Sequence, residues 1–368
     1  MKVLTVSSPH SASTRDVWRK LNLGLQANGV TVRPFDLMTR ANLFDRMNVL
    51  FEKAKIPLPD GWEAMTLAYE PILGAAIHHD CDAVIVDSPQ YFPAGITDLL
   101  KKVGIKTYAY FTECPYEDEI HMPLVAATFD GALLSDLNSV GLYQSFVPNG
   151  NVMYVPHCYD PNVHYPPEDD DAREEKTVFI GTGYDSRESF FSKVDWPKPL
   201  FIYGGWWKFP KNSNKNIFAS RSRGKNTVWT DPKTGMSYIA PPGYSDVSAE
   251  DVADFYRTFA TSFSAHRTQK YWGSVDDIIE GEAYSLGPRN WELAACRIFQ
   301  VSDFRQELAD VFGDSVPLYE TPRELGDLLK RAFDDPAWRK DLAYKQWERA
   351  QPYSLQNVMR PVAQFLAA

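Results

Sequence analysis

The feature that most limits what this chain can become is an alternation of element types that runs twice. In the first half, MKVLTVSS, VTVRPFD, CDAVIVDSP, IKTYAYFTE, FDGALLSD and NVMYVPHCYD are short apolar runs that read as strands. Between them, STRDVWRKLNLGLQANG spaces Val17, Leu21 and Leu25 along one helical face and closes at Gly29, and GITDLLKKVG closes at Gly104. Strands that are apolar throughout and joined by amphipathic helices imply a parallel sheet covered on both faces.

The alternation then restarts. TVFIGTG, PLFIYGG, TSFSAH and IFQVSD read as strands, with helices over SRESFFSKV, from Ser248 through DVADFYRTF, and over 288–297. The segment between PLFIYGG and Ser248 reads as irregular. RELGDLLKRAF, AWRKDLAYKQWERA and a last helix near 354–366 follow. Between the two halves, residues 161–176 are Pro-rich and then acidic, which reads as a linker with Asp169-Asp170-Asp171 as solvated charge. The fold class is therefore α/β: two Rossmann-like doubly wound domains facing across a cleft. Residues 1–160 form the first domain and 177–350 the second, with 351–368 a closing helix that packs back on the first. A length of 368 residues, too great for one ordinary core, agrees with that division.

Charge and cysteine use remove several classes. A net charge of −10 is not that of a dedicated nucleic-acid binder. The four cysteines are scattered with no CxxC, which implies free thiols in a reducing compartment. MKVLTVSS is too short for a signal peptide, and no run reaches the roughly 18 apolar residues of a membrane span, so a cytoplasmic location is expected. HExxH and GxSxG are both missing, which argues against a zinc protease and a serine hydrolase.

Ligands of such sheets bind outside the carboxyl ends of the strands, so the strand-end loops carry the candidates. In FIGTGYDSRESFF, Gly181, Thr182 and Gly183 form either a plain tight turn or a backbone cradle for an anion. Gly204 in IYGGWWKF leads into two tryptophans that either pack or wall a base. SAHRTQ brings His266 and Arg267 to another strand end; they decorate the surface, or Arg267 clamps a diphosphate. LGPRNWELAAC opens a helix with Pro288 in its first turn, followed by Arg289, Asn290 and Glu292. Glu292 there is ordinary helix-dipole chemistry, or it accepts hydrogen bonds from a ribose while Arg289 and the helix start face phosphate. In the first half, His10, Glu113 and Asp118 are strand-end residues able to serve as a general base.

The order of these motifs has a likeness. FIGTGYDSR, IYGGWW, APPGYSDVSAEDVADFYRTFATSFSAHR and GPRNWELAACRIFQVSDFRQEL resemble the carboxyl half of the CgeB-like glycosyltransferases (spore-maturation-protein type) of the GT-B group. FTECPYEDE, DGALLSDLNSVGLYQ and VMYVPHCYDPNVHYP resemble their first half, and QPYSLQNVMRPV their end. The likeness covers most of the chain and is most specific over residues 286–307. It implies a nucleotide-sugar donor held mainly by the second domain and an acceptor held by the first. By that likeness Glu292 would hold the ribose, Arg289 with the 288–290 helix start would face the diphosphate, and Gly181 and Thr182 would line the phosphate side. Two departures stand out. Arg297 occupies the place of the glycine that usually ends this helix, and Glu282 and Glu292 are ten apart where related retaining enzymes have two Glu eight apart.

The expected activity is transfer of a sugar from a nucleoside-diphosphate sugar, a UDP-sugar, to a hydroxyl acceptor, with no tightly bound cofactor and no required metal. The segment 208–226 has six Lys or Arg, no acid and interleaved aromatics. It is a solvated loop, or it tracks a phosphate backbone so that the acceptor is a hydroxylated base in DNA; a polysaccharide or a protein is the other acceptor class. Two further readings stay open: a nucleotide-sugar epimerase, and a binding protein for nucleotide sugars or glycans without turnover.

Overall fold

The computed structural model describes residues 1–8, 12–37, 39–40, 50, 52–55, 66–89, 92–112, 122–183, 185–198, 200–204, 227–230, 237–240, 248–266 and 281–368. His10, Glu113, Asp118, Arg267 and the basic stretch 208–226 lie outside the described residues.

The chain forms two units, each with its own six-stranded sheet. In the first, β1 (Lys2–Val6), β2 (Thr31–Phe35), β3 (Ala83–Asp87), β4 (Lys106–Phe111), β5 (Gly131–Leu134) and β6 (Val152–Tyr154) lie in the order β2-β1-β3-β4-β5-β6. All of its pairings are parallel. Burial on both faces explains why β3, AVIVD, is apolar for four consecutive residues. A buried hydroxyl in such a strand needs a partner, and Thr5 Oγ1 donates to Asn22 Oδ1 at 2.5 Å.

The first unit also contains Leu355–Ala368. The helix Leu355–Ala367 lies on the helix Ala12–Ala27. Gly24 makes the approach possible, because a Cβ there would run into Met359 and the Leu355 carbonyl. Asn28 Nδ2 donates to the Gln356 carbonyl at 2.9 Å, and Tyr108 meets Phe365 edge-on. On the helix Ala12–Ala27, buried Lys20 pairs with Asp16 at 2.7 Å.

In the second unit, β7 (Glu174–Ile180), β8 (Leu200–Tyr203), β9 (Thr227–Thr230), β10 (Ser237–Ala240), β11 (Phe259–Ser264) and β12 (Phe299–Ser302) lie in the order β12-β11-β7-β8-β10-β9. Pairing is parallel except between β9 and β10. That antiparallel pair comes from the segment expected to be irregular. Successive residues of β7 enter opposite cores: Phe179 joins Phe191, Phe263 and Leu325, while Val178 and Ile180 join Tyr256, Leu293 and Ile298. Across β7 and β11, Thr177 and Thr261 hydroxyls meet at 2.8 Å.

The stretch read as a linker differs from expectation. β7 begins at Glu174, inside it, and Asp170 is tied rather than solvated: it pairs with Arg173 Nε at 3.2 Å and Arg297 Nη2 at 2.8 Å. The side chain of Arg173 is buried and joins two helix ends. Its Nη1 donates to the carbonyls of Tyr256 (2.6 Å), Arg257 (3.2 Å) and Phe259 (3.0 Å), at the end of the helix Ala249–Thr258. Its Nη2 donates to those of Cys296 (2.8 Å) and Arg297 (3.1 Å), at the end of the helix Pro288–Ala295. Terminal carbonyls of a helix have no donor within it, so one guanidinium caps both.

Arg297 corrects the other expectation. The helix end does not lack a left-handed residue: Arg297 itself takes φ 51°. Its N–H donates to Ala294 O at 2.9 Å and that of Ile298 to Leu293 O at 3.3 Å, the two bonds of a Schellman cap. The conformation is unfavourable for a residue with a Cβ. The pair with Asp170 and the hydrogen bond to its carbonyl from Arg173 hold it there.

Candidate functional site

In the second unit the chain leaves β7 toward β8 and β10, then returns to place β11 on the other side of β7. The strand order therefore reverses between β7 and β11, and the loops leaving their carboxyl ends flank the switch point where open α/β sheets bind ligands. Gly181-Thr182 leaves β7 and Ala265-His266 leaves β11. Arg187, in the short helix Asp185–Phe191, ties the two loops: Nη1 donates to Thr182 O at 2.9 Å and Nε to Ala265 O at 3.1 Å.

Gly181 is close to a second guanidinium. A Cβ there would collide with Nη2 of Arg289, and a Cβ on Gly204 (φ 140°) would collide with the carbonyl of Gly181. Gly204 thus needs glycine because rigid backbone crowds it, while Gly181 lets the Arg289 guanidinium approach closely. Arg289 lies over the Phe179 ring at 4.6 Å and Arg187 over the same ring at 5.5 Å. Burial pushes the Tyr319 phenol far above its ordinary range; Asp303 adds to that, while Arg187 and Arg289 oppose it. Tyr319, Asp303 and the two arginines therefore share one neighbourhood at this sheet edge.

Next to it, Asp303 follows β12 and grips His266. Its Oδ2 accepts the His266 backbone N–H at 2.8 Å and its Oδ1 pairs with Nδ1 at 2.6 Å. Burial raises the Asp303 carboxyl, but the His266 ring and backbone outweigh it, so the group is held below the usual carboxylate range.

The helix Pro288–Ala295 starts with Gly287 as an N-cap that offers no side-chain acceptor, and with Pro288 in its first turn. Asn290 is buried, and its side chain donates inward to Gln300 Oε1 at 3.2 Å and Ser302 Oγ at 3.5 Å. That makes it a brace between the helix and β12. Glu292 is also buried, at 8% exposure, near Tyr256 and Cys296. Burial, with Glu292 adding, pushes the Cys296 thiol up to about 12, so it is an inert packing group.

Of the expected residues, Gly181, Thr182, Gly204 and Arg289 thus come together, Glu292 lies one helical turn further on, and Gly183 is buried in the loop after β7. Arg187, Asp303 and Tyr319 are neighbours that the sequence alone does not point to. Position was the available signal for Asp303 and Arg187: each stands within a few residues of a strand's carboxyl end. Among the described residues no group of three or more His, Cys, Asp or Glu is arranged to hold a metal ion, and no helix is long and apolar enough to cross a membrane.

Comparison with known proteins adds a family likeness and a fold. Residues 219–365, less than half of the chain, match the family model described as glycosyl transferase-like. No curated protein matches the sequence. Among solved structures, sucrose-phosphate synthase from Thermosynechococcus elongatus superposes with a TM-score of 0.63 at 13% identity, covering 99% of this chain and 98% of that one. HepE of Anabaena in complex with UDP-glucose gives 0.64 at 10% identity, over 100% and 99% of the two chains. The UDP-GlcNAc 2-epimerase of Neisseria meningitidis bound to UDP-GlcNAc gives 0.54 at 13% identity, over the full length of both. The chain has the two-sheet parallel α/β fold of GT-B glycosyltransferase structures, and its carboxyl-terminal part is glycosyl transferase-like in sequence.

Proposed function

We propose that this chain is a glycosyltransferase that takes a sugar from a nucleoside-diphosphate donor and joins it to a hydroxyl acceptor. The observation that carries the reading is the set of cationic and N–H groups at the β7/β11 switch point: Arg187 and Arg289 beside the Gly181-Thr182 loop, with the start of the helix Pro288–Ala295. Charge that develops on a departing diphosphate is stabilised by fixed donors of this kind. Glu292 is assigned to the ribose. HepE was crystallised with UDP-glucose, which makes a UDP-sugar the donor to test first. The family-model match over 219–365 favours transfer over the epimerase reading, since the fold alone is shared with an epimerase.

At finer grain we assign the chain to the CgeB-like type on residues 286–307, and the six cations of 208–226 support a hydroxylated base in DNA as acceptor. An inverting transfer would draw its base from His10, Glu113 or Asp118. The deciding experiment is a thermal-shift screen of nucleotide sugars followed by product analysis with the stabilising donor. Slow release of nucleoside diphosphate supports the transferase. An altered sugar nucleotide means an epimerase, and stabilisation without turnover means a binding protein. Undiminished donor affinity in Glu292→Ala would remove the ribose assignment.

A further inference from the structure

Two buried polar atoms at the carboxyl end of β11 have no hydrogen-bond partner among the described residues: Oγ of Ser264 and Nε2 of His266. Phe263 and Ala265, which alternate with them, pack into the core. A buried polar atom without a partner is unfavourable, and two of them at one strand end at a topological switch point suggest that a ligand completes them.

The His266 ring is held in one orientation. Asp303 binds both its backbone N–H and its Nδ1, at 2.8 and 2.6 Å. The Ser302 hydroxyl lies 3.5 Å from the same carboxylate oxygen and is itself contacted by Asn290, so the grip continues to the first turn of the helix Pro288–Ala295. An ionised Asp303 draws the Nδ1 proton toward itself, which leaves Nε2 as the atom available to a ligand. The charged groups of this neighbourhood are Arg187, bound to the Ala265 carbonyl one residue away, Arg305, which acts on Asp303, and Arg289, which with Arg187 acts on the Tyr319 phenol; Asp303 is the opposing carboxylate, and Tyr319 donates to the Ser264 carbonyl. This surrounding suits an anion.

We propose that His266, with Ser264 beside it, is a phosphate subsite of the nucleotide-sugar donor, its Nε2 hydrogen-bonded to a phosphate oxygen. The proposal rests on the donor reading given above. In the transfer, the bond from the sugar C1 to the β-phosphate oxygen breaks and its electron pair stays on that oxygen. The acceptor oxygen bonds to C1, and the acceptor's proton passes to a base or to water. His266 takes no part in proton transfer; its contact with the phosphate strengthens as charge accumulates on the departing diphosphate. Asp303 is a positioning residue that fixes the ring.

The test is calorimetric binding of UDP and of uridine to the wild type, His266→Ala, His266→Gln and Asp303→Asn. Loss of a charge-assisted hydrogen bond should weaken UDP binding in His266→Ala by about 10- to 100-fold and leave uridine unchanged. His266→Gln, which keeps an N–H donor, should recover part of the loss, and Asp303→Asn should fall in the same direction as His266→Ala. Equal UDP affinity in wild type and His266→Ala overturns the proposal while the donor site stands, and so does an equal loss for UDP and uridine. A wild type that binds uridine no more weakly than UDP removes the donor reading and the subsite with it. Should the alanine variant not fold, long-range 1H–15N spectra of the wild type decide: the Nε2 signal must move when UDP is added, and an unmoved signal refutes the contact.

Discussion

Replacing Arg173 with Met keeps most of the volume of its stem and deletes the guanidinium that caps two helices. Five carbonyls lose this donor at once and Asp170 loses one of its two partners, in a position where the side chain is only 5% exposed. A hydrogen bond to a charged group contributes about 1.5–3 kcal/mol, but such bonds sharing one donor group do not add. Removing one member of a buried charged network costs about 3–5 kcal/mol, and Asp170 keeps Arg297 as a partner, so we expect the lower part of that range. With a urea slope of about 2–3 kcal/mol/M, the midpoint of the second unit should fall by more than about 1 M. Urea titration followed by tryptophan fluorescence reads this, since Trp291 and Trp338 lie in that unit. Arg173→Lys keeps the charge but offers a single ammonium, which does not span both helix ends, and should lose roughly half as much. A Met variant within about 1 kcal/mol of wild type, or a Lys variant equal to it, would show that water satisfies these carbonyls and that the capping argument is wrong.

At Arg297, glycine should be more stable than alanine by about 1 kcal/mol, because both lose the pair with Asp170 but only alanine keeps the left-handed penalty; equal urea midpoints would contradict this. Gly204→Ala should cost about 2–4 kcal/mol, since the new methyl meets rigid backbone of Gly181 at a positive φ, whereas Gly181→Ala meets first the movable end of Arg289, and the Phe179 ring less closely at 3.2 Å, and should act chiefly on UDP affinity. Paired melting and binding curves separate the two. In the first unit, burial raises the Asp16 carboxyl, yet Lys20 and Arg19 override it and hold it at about 2. A folded pKa below the unfolded value gives stability that is present above about pH 4 and lost as pH falls through about 2, on the order of 2 kcal/mol. Asp16→Asn should therefore trail the wild type at pH 7, and the gap should close between pH 4 and pH 2 in a pH series of urea unfolding; a gap independent of pH would place the effect elsewhere.

Much of the architecture was legible because parallel strands buried on both faces leave unbroken apolar runs, as in AVIVD and in VFI of β7. β9 and β10 were not, because TVWT and SYIA are short and their pairing is set by a neighbour rather than by their own periodicity. The glycines at 181 and 204 were visible, but the reasons for them were not: Arg289, more than a hundred residues after Gly181, crowds that position, and the backbone of Gly181 crowds Gly204. Likewise His266 and Asp303 are joined only because β11 and β12 are neighbours, a long-range fact that no local spacing records. Arg173 looked like part of a charged linker since capping two distant helix ends needs no pattern around the cap. Arg297 stood out as an irregularity, and its explanation lay in Asp170, far away in sequence.

The helix Leu355–Ala367 has a consequence for how the protein is made. It belongs to the first unit, on the face of Ala12–Ala27 that Gly24 opens for it, yet it emerges from the ribosome after every strand of both sheets. The unit that holds the earlier strands is thus completed only after the second sheet has been made. Until then its partner surface, with the Asn28 side chain that later bonds Gln356, stays uncovered, and a nascent chain carrying an open apolar face is a substrate for chaperones. Damage to residues 355–367 should therefore appear as a folding defect of residues 1–157.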